Sequence, residues 1–598
     1  MKAFVGRSPA VRFLEAWLGL PAPDPLRRAA HACALLVVLV FLCLPLFRGL
    51  GRSDLDGDEA IYASVVDRML ETGRWLTPDY EGAPFFEKPP LKFWMVAAGM
   101  RAGILPHTEA GYRALDALFG AASFVYVYLL GRLVCGPLCG AFAAFFLAIH
   151  EELVFVHGLR SHDMDSMLVL SCCGGIYHFL RWAEGARPWP HVLAVVLFFA
   201  FGFLAKFAAA LFLPLVLLVA VLLAPAWRAR ARADWRRWTA AALAAAALCA
   251  PWFVYHAVRY GEDFWAFLLS VHVWRRLTGQ LDPSHLQPWW FYVGRICESF
   301  AKLWYYPVVG GALWVARTVR DRWPTGLLVL LWLAVPIAVL SVSRSKLYHY
   351  AYPFLPPIAL FAGYAVAVAA RVAYRWLNRI PGERLARGTP RIALGVLAVL
   401  CLLLALVTAL RGTLRWELGP IVLRNASPLR PLAVAGLAAL ALRGRAAAAA
   451  GMLLAVGLWL DVAREHHRFL ERTERGGRLL STLAACLRSR QAGGPGVYVH
   501  FPEGKDLVHE VRYYFRPLGL RQPPLDPQRL ERRLRHPAVL SPALVVVTEW
   551  PELARRLSSW PAEERTSLGI VGMPRYDLYL VLPGRFAACA GAVRGAGG

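Results

Sequence analysis

A chain of 598 residues, 58% of them hydrophobic and with a mean hydropathy of +0.45, is too apolar for an ordinary set of soluble domains. Its formal charge of +26 could mean a nucleic-acid partner, but the basic residues lie between apolar runs and build no basic module, which excludes that class. The 11 cysteines lie mostly in or beside those runs and set out no disulfide framework.

Apolar runs of about 20 residues, long enough to cross a bilayer, recur along most of the length. We read about thirteen spans, near 30–48, 113–134, 138–157, 164–182, 190–206, 208–226, 238–257, 294–316, 325–343, 350–370, 391–410, 428–443 and 446–463. Runs such as 392–410 have no polar face, which argues against a large soluble helical protein. The run 30–47 lacks a small-residue cleavage site and reads as a retained first span.

Basic residues alternate from connection to connection. Arg7, Arg12, Arg27 and Arg28 precede the first span. Arg132, then Arg181 and Arg187, then Arg228, Arg230, Arg232, Arg236 and Arg237 follow in alternate connections, and Arg317, Arg320, Arg322, the stretch 371–391, Arg443 and Arg445 complete the series. The positive-inside rule makes these cytoplasmic, with the N-terminus inside and the C-terminus outside. The segment 89–105, with Lys92 and Arg101, would reverse that order if it crossed. It reads as a helix at the outer interface, with Pro89 and Pro90 in its first turn.

This topology sends ionisable residues from five connections to one face. "SDLDGDEAIYASVVDRM" brings Asp54, Asp56, Asp58 and Glu59, and "YEGAPFFEKPPLKFW" brings Glu87 and Lys88. "HGLRSHDMDSM" brings Arg160, His162, Asp163 and Asp165, and Lys206 stands alone in "FGFLAKFAAALF". His272 and His285 follow the seventh span, and "SVSRSKLYHYAYP" brings Arg344, Lys346, His349 and Tyr350.

Each has a plainer reading. Asp58 or Asp163 could cap a helix, the former with Ile61, Val65 and Met69 as its buried stripe. Lys206 could snorkel, His272 could be an interfacial histidine, and Arg344 and Lys346 could flank a span. Arg295, Glu298 and Lys302 either form a ladder turned to the cavity or lie beyond the hydrocarbon. The joint occurrence on one face is harder to explain so. Carboxylates on separate elements suit orienting or deprotonating an acceptor, and the cations suit a lipid phosphate whose departing oxygen gains charge.

Residues from 464 onward lose the long apolar runs. "GVYVHF", "ALVVVTEW" and "YDLYLVL" read as strands, and "ELARRL" and "PQRLERRLR" as helices, of a small α/β domain outside the membrane. The division is thus 1–463, with its first outer loop at 49–112, and 464–598. No glycine-rich phosphate loop follows a strand, so no nucleotide cofactor is expected. Cys486 and Cys589 share this domain and could be bridged in an oxidising compartment. Cys135 and Cys139 lack the second pair of a zinc site.

"DEAIYA", "FFEKPPLKFW", "YRALDALFGAASFVYVYLLGRL", "RSHDM", "FLAKF" and "SRSKLYHYAYPFLP" follow one another in an order that resembles the lipid-carrier-dependent glycosyltransferases of the GT-C class. The nearest likeness is to bacterial lipid A aminoarabinose transferases and the protein O-mannosyltransferases, over about the first 370 residues. The resemblance implies an all-α, GT-C-like polytopic enzyme of the bacterial inner membrane. Its donor would be a polyprenyl-phosphate-linked sugar, and its acceptor a lipid, lipid A or another envelope glycolipid, or a protein. It implies that Asp58 orients or activates the acceptor and that Asp163 is a second acidic residue of the cavity. Lys88, Lys206 and Tyr350 would meet the carrier phosphate, and the cations Lys346 and Arg160, read from the sequence onto the same face, suit it too. Glu87 and His272 would share a divalent metal, zinc. Departures stand at Ile61, where the aminoarabinose transferases tend to have arginine, at Val271 in place of glutamate, and at Lys206-Phe207 in place of Lys-Gly-Pro. Two protein ligands alone are also thin for zinc. From another class, a flippase of lipid-linked sugars would share the spans but place its charges near mid-span.

Overall fold

The computed structural model describes residues 9–185, 187–270, 274, 278, 285–299, 305–379, 389–411, 414–418, 421–425, 431, 432, 434, 435, 478–490, 508–518, 546–548, 559–561, 563, 571–573, 578–581, 588, 589 and 591. The chain forms two compact units. The first comprises 1–48, 86–92 and 116–468; the second comprises 49–85, 93–115 and 469–598. The stretch read as the first outer loop thus groups largely with the C-terminal segment.

The first unit is helical. Among the described residues, five helices are long and apolar enough to cross a membrane: 24–47, Glu109–Cys135, Pro188–Ala210, Trp235–Tyr260 and Pro324–Val342. Two bent pairs bring the number to as many as seven: Phe212–Leu223 with Pro225–Ala233, bent by 109°, and Tyr348–Phe354 with 356–372, bent by 53°. The expected span 208–226 is therefore a shorter helix that turns sharply at Pro225. The span expected at 138–157 stops at Ala148 and resumes as the short helix Glu151–Phe155. The spans expected at 428–443 and 446–463 lie almost wholly outside the described residues. A hairpin, Leu414–Leu418 against Ile421–Asn425, occupies the connection after the expected span 391–410.

Helices pack closely where small residues meet. A Cβ added at Gly363 would lie 2.5 Å from the Cys139 carbonyl oxygen and 2.7 Å from the Ala143 nitrogen, so Pro356–Arg379 and Pro137–Ala148 touch backbone to backbone. Such contact compensates for the missing hydrophobic drive between helices in lipid. Asp165–Ala183 lies along Pro188–Ala210, where the Ser171 hydroxyl donates to the Phe198 carbonyl at 2.7 Å.

The second unit is built on the helix Asp58–Thr72, which buries Tyr62, Val65, Val66 and Met69, with Ile61 half-buried. The helix Val508–Phe515 packs on it, and Leu479–Arg490 packs on Val508–Phe515. Cys486 and Cys589 form a disulfide. Val546–Thr548, Leu578–Val581 and Val571–Met573 make an antiparallel sheet in that order, within two of the expected strand regions and one additional short strand. The strand expected at 496–501 and the helices expected at 527–535 and 552–557 lie outside the described residues.

The helix Leu91–Arg101 is about 16 Å long at ~1.5 Å per residue, too short to cross a bilayer. Pro89 and Pro90 precede its first turn, and both are buried.

Candidate active site

In the first unit, the turn 156–164 is buried from Gly158 to Met164 and leads into Asp165–Ala183. Its anchor is Lys92, fully buried, whose ammonium donates to Asp116 Oδ1 and to the Asp163 carbonyl oxygen. The Ser166 hydroxyl donates to the same Asp116 oxygen at 2.5 Å, and His162 Nδ1 stands 3.8 Å from the other. A lysine and an aspartate removed from water need this pairing, because either alone would be an uncompensated charge.

Held by its backbone, Asp163 turns its carboxylate toward His157 Nδ1 at 3.3 Å. Burial raises this carboxyl, but His157 and then Lys92 outweigh burial and hold it below the usual carboxylate range. His157 has φ 48, a left-handed conformation uncommon outside glycine, and its ring lies 5.0 Å from that of His349. Asp163 caps no helix; Met164 is the residue before Asp165–Ala183.

Two residues on, Asp165 accepts from Lys206 Nζ at 3.0 and 3.2 Å. Lys206 therefore has an anionic partner and does not snorkel. It interrupts Pro188–Ala210 with φ −151 and ψ 74, and its ammonium lies 5.3 Å from the centre of the Tyr350 ring. Broken helices in membranes are tolerated where they line a cavity or are buried in protein. Phe207, next in sequence, lines an apolar cavity of about 820 Å³ with Phe203, Leu217, Trp238 and Phe253. The Tyr350 segment is tied to the buried turn, since the Tyr352 hydroxyl donates to the Val156 carbonyl at 2.8 Å and Tyr348 meets His150 Nε2 at 2.8 Å.

Lys88 is buried, with its ammonium 3.9 Å from the exposed Glu87 carboxylate. Phe86 holds this stretch by edge-on contacts with Tyr260, Phe264 and His256. Lys346 donates to the carbonyls of Gln287, at 3.0 Å, and Ser343. Arg160 donates to the Arg48 carbonyl and lies over Phe155. Arg295 bonds Glu298 at 3.0 Å and also Glu152, so the first rung of the expected ladder exists and reaches a second element. His272 lies outside the described residues. Among the described residues, no candidate metal-binding group includes Glu87.

Asp58 belongs to the second unit. It is the first residue of its helix rather than the cap, which is Gly57, and it accepts from the Tyr62 hydroxyl at 3.2 Å.

Sequence reasoning missed Lys92, Asp116 and His157 as parts of the site. Their signal was one cation and one anion in neighbouring apolar segments, which need each other. His157 opened a motif read for its later residues.

The family model described as dolichyl-phosphate-mannose-protein mannosyltransferase matches residues 87–255. The undecaprenyl phosphate-alpha-4-amino-4-deoxy-L-arabinose arabinosyl transferase of Pseudomonas savastanoi pv. phaseolicola is 30% identical over 338 residues, covering 55% of this chain and 60% of that protein. The chain resembles the GT-C glycosyltransferases of the aminoarabinose transferase and protein mannosyltransferase type. The Pseudomonas aeruginosa PAO1 counterpart is 30% identical over 318 residues, 53% of this chain and 56% of its own length. The chain thus spans less than two thirds of the length of these relatives. The solved structure of ArnT from Cupriavidus metallidurans bound to undecaprenyl phosphate covers 92% of this chain and 96% of that one, with a TM-score of 0.56 and 19% identity. The ArnT likeness is one of fold.

Proposed function

We propose that the protein is an integral membrane glycosyltransferase that moves a sugar from a polyprenyl-phosphate carrier to a lipid acceptor on the side away from the cytosol, with lipid A the best-supported acceptor. The carrying observation is Lys206, set at a helix break, paired with Asp165, stacked on Tyr350 and followed by a residue lining an apolar cavity. A cation and a tyrosine beside such a cavity suit an amphiphilic phosphate. The named relatives are arabinosyl transferases of undecaprenyl phosphate-linked aminoarabinose, which supports a polyprenyl-phosphate-linked sugar as donor. The Cys486–Cys589 disulfide supports an oxidising compartment for the C-terminal segment.

In this reading an acceptor oxygen attacks the anomeric carbon as the bond from that carbon to the carrier phosphate breaks. The bonding pair leaves on the phosphate oxygen, where Lys206 and Lys88 stabilise it. Lys346 and Arg160 shape the phosphate pocket from the carbonyls that hold them. Asp58 orients the acceptor and takes its proton when the acceptor is a hydroxyl; Asp163 is the second carboxylate. No step is assigned to a metal. A protein acceptor is the second reading, favoured by the mannosyltransferase family match.

The test incubates purified protein with a polyprenyl-phosphate-linked sugar and lipid A and follows release of polyprenyl phosphate. Lipid A-dependent release that is lost in Asp58→Asn is expected. Release driven only by a protein acceptor would favour the second reading, and movement of intact donor across vesicles without release would replace both by a flippase.

A further inference from the structure

The turn leading to Asp58 is held from the far end of the chain. Glu510 and Tyr514, buried on Val508–Phe515, both aim polar atoms at main-chain N–H groups of that turn. Glu510 Oε1 accepts from Gly57 N at 2.6 Å, and the Tyr514 hydroxyl oxygen accepts from Leu55 N at 2.8 Å while donating to Glu109 at 3.2 Å. Asp54, fully buried, accepts from the backbone N–H groups of Leu480 and Ser481 at 2.7 and 3.2 Å, at the start of Leu479–Arg490. Arg113 donates to the carbonyls of Leu50, Ser53 and Asp54 and grips both oxygens of Glu59. Gly57 itself takes φ 51 and ψ −117, which side-chain-bearing residues rarely adopt.

Apolar packing would dock a helix without these bonds. Bonds to the backbone of 55–57 fix the path of the chain into Asp58. We propose that the C-terminal helix Val508–Phe515 is a positioning element for the Asp58 carboxylate, acting through Glu510 and Tyr514 on the turn 55–57. The proposal rests on the reading of Asp58 as the acceptor-facing group. It gives the C-terminal segment a part in transfer, because small displacements of a reacting group are costly in rate.

The experiment measures transfer in the full-length chain, with separate titrations of lipid-linked donor and lipid A acceptor, for Glu510→Ala, Glu510→Gln, Tyr514→Phe and Asp58→Asn. Loss of one such bond should lower kcat/KM for acceptor by about ten-fold in Glu510→Ala and about three-fold in Tyr514→Phe, with donor KM unchanged. Glu510→Gln keeps an acceptor for the Gly57 N–H and should return most of the activity. The inference is overturned if Tyr514→Phe and any folded Glu510→Ala match the parent. It is equally overturned if donor and acceptor KM shift together, or if Glu510→Gln stays as low as Glu510→Ala. If Glu510→Ala does not fold, Tyr514→Phe and Glu510→Gln decide between loss and rescue. Full activity in Asp58→Asn would instead sink the underlying reading, so the two failures are distinct.

Discussion

The Asp163 turn and the Asp58 turn each place a carboxylate at the approach to a helix, and they are secured differently. Asp163 depends on a dry ion pair: Lys92 and Asp116, both without exposure, with the ammonium also bonded to the Asp163 carbonyl. Asp58 depends on hydrogen bonds to main-chain groups from residues 453 and 459 positions away, around a glycine that adopts an unusual backbone. A buried charge pair is rigid while intact and severe when half removed. Hydrogen bonds to a backbone can be lost one at a time, and the site loosens by degrees.

The comparison is broken most sharply at Lys92. Lys92→Met strands Asp116, and we expect a loss of about 3–5 kcal/mol, read as a fall in the melting temperature of the detergent-purified protein. Lys92→Met with Asp116→Leu removes both charges and should recover most of that stability; a double variant as unstable as the single would contradict the charge argument. Lys206→Met tests the same logic at the Lys206–Asp165 pair. It leaves Asp165 without its ammonium and removes the cation proposed to meet the carrier phosphate, so carrier release should fall by about 100-fold or more. Near-normal release would remove Lys206 from the chemistry.

The second turn is probed by subtler changes. Gly57→Ala adds a methyl with no atom within 4 Å, so any cost is conformational, about 1–2 kcal/mol in thermal unfolding. An unchanged melting temperature would show that the turn relaxes freely. The smallest effect is on pH. Burial, aided by the Asp56 carboxylate and opposed by the Gly57 N–H, pushes the Glu510 carboxyl from 4.5 up to about 7. Between these values the folded chain keeps a proton that the unfolded chain has released. Stability fully present below about pH 4.5 is therefore lost as pH rises toward 7. Melting curves across that window should show the decline in the parent and a flatter profile in Glu510→Gln; parallel profiles would exclude Glu510 as its source.

Much of the site was legible where a charge interrupts an apolar run. Lys206 in "FLAKF" and the carboxylates of "SHDMD" stood out because hydrocarbon leaves an ionised group few alternatives to a partner. Which partner was not legible. Lys206 took Asp165 and not Asp163, because two residues decide which carboxylate points across to Pro188–Ala210. Lys92 reads from sequence as part of an interfacial helix, whereas its burial depends on helices that only packing brings around it. Arg160 and Lys346 stood out as cations for a phosphate, and each also donates to a backbone carbonyl, a contact that depends on loop geometry.

By itself the sequence determined the membrane character, several of the long helices and the order of the motifs. These follow from summed hydropathy over about 20 neighbouring residues, a local property. Only the tertiary structure decided the pairings of Lys92 with Asp116, Lys206 with Asp165 and Glu510 with Gly57. Their members are separated by 24, 41 and 453 residues, and such contacts depend on how packed elements are rotated and registered against one another.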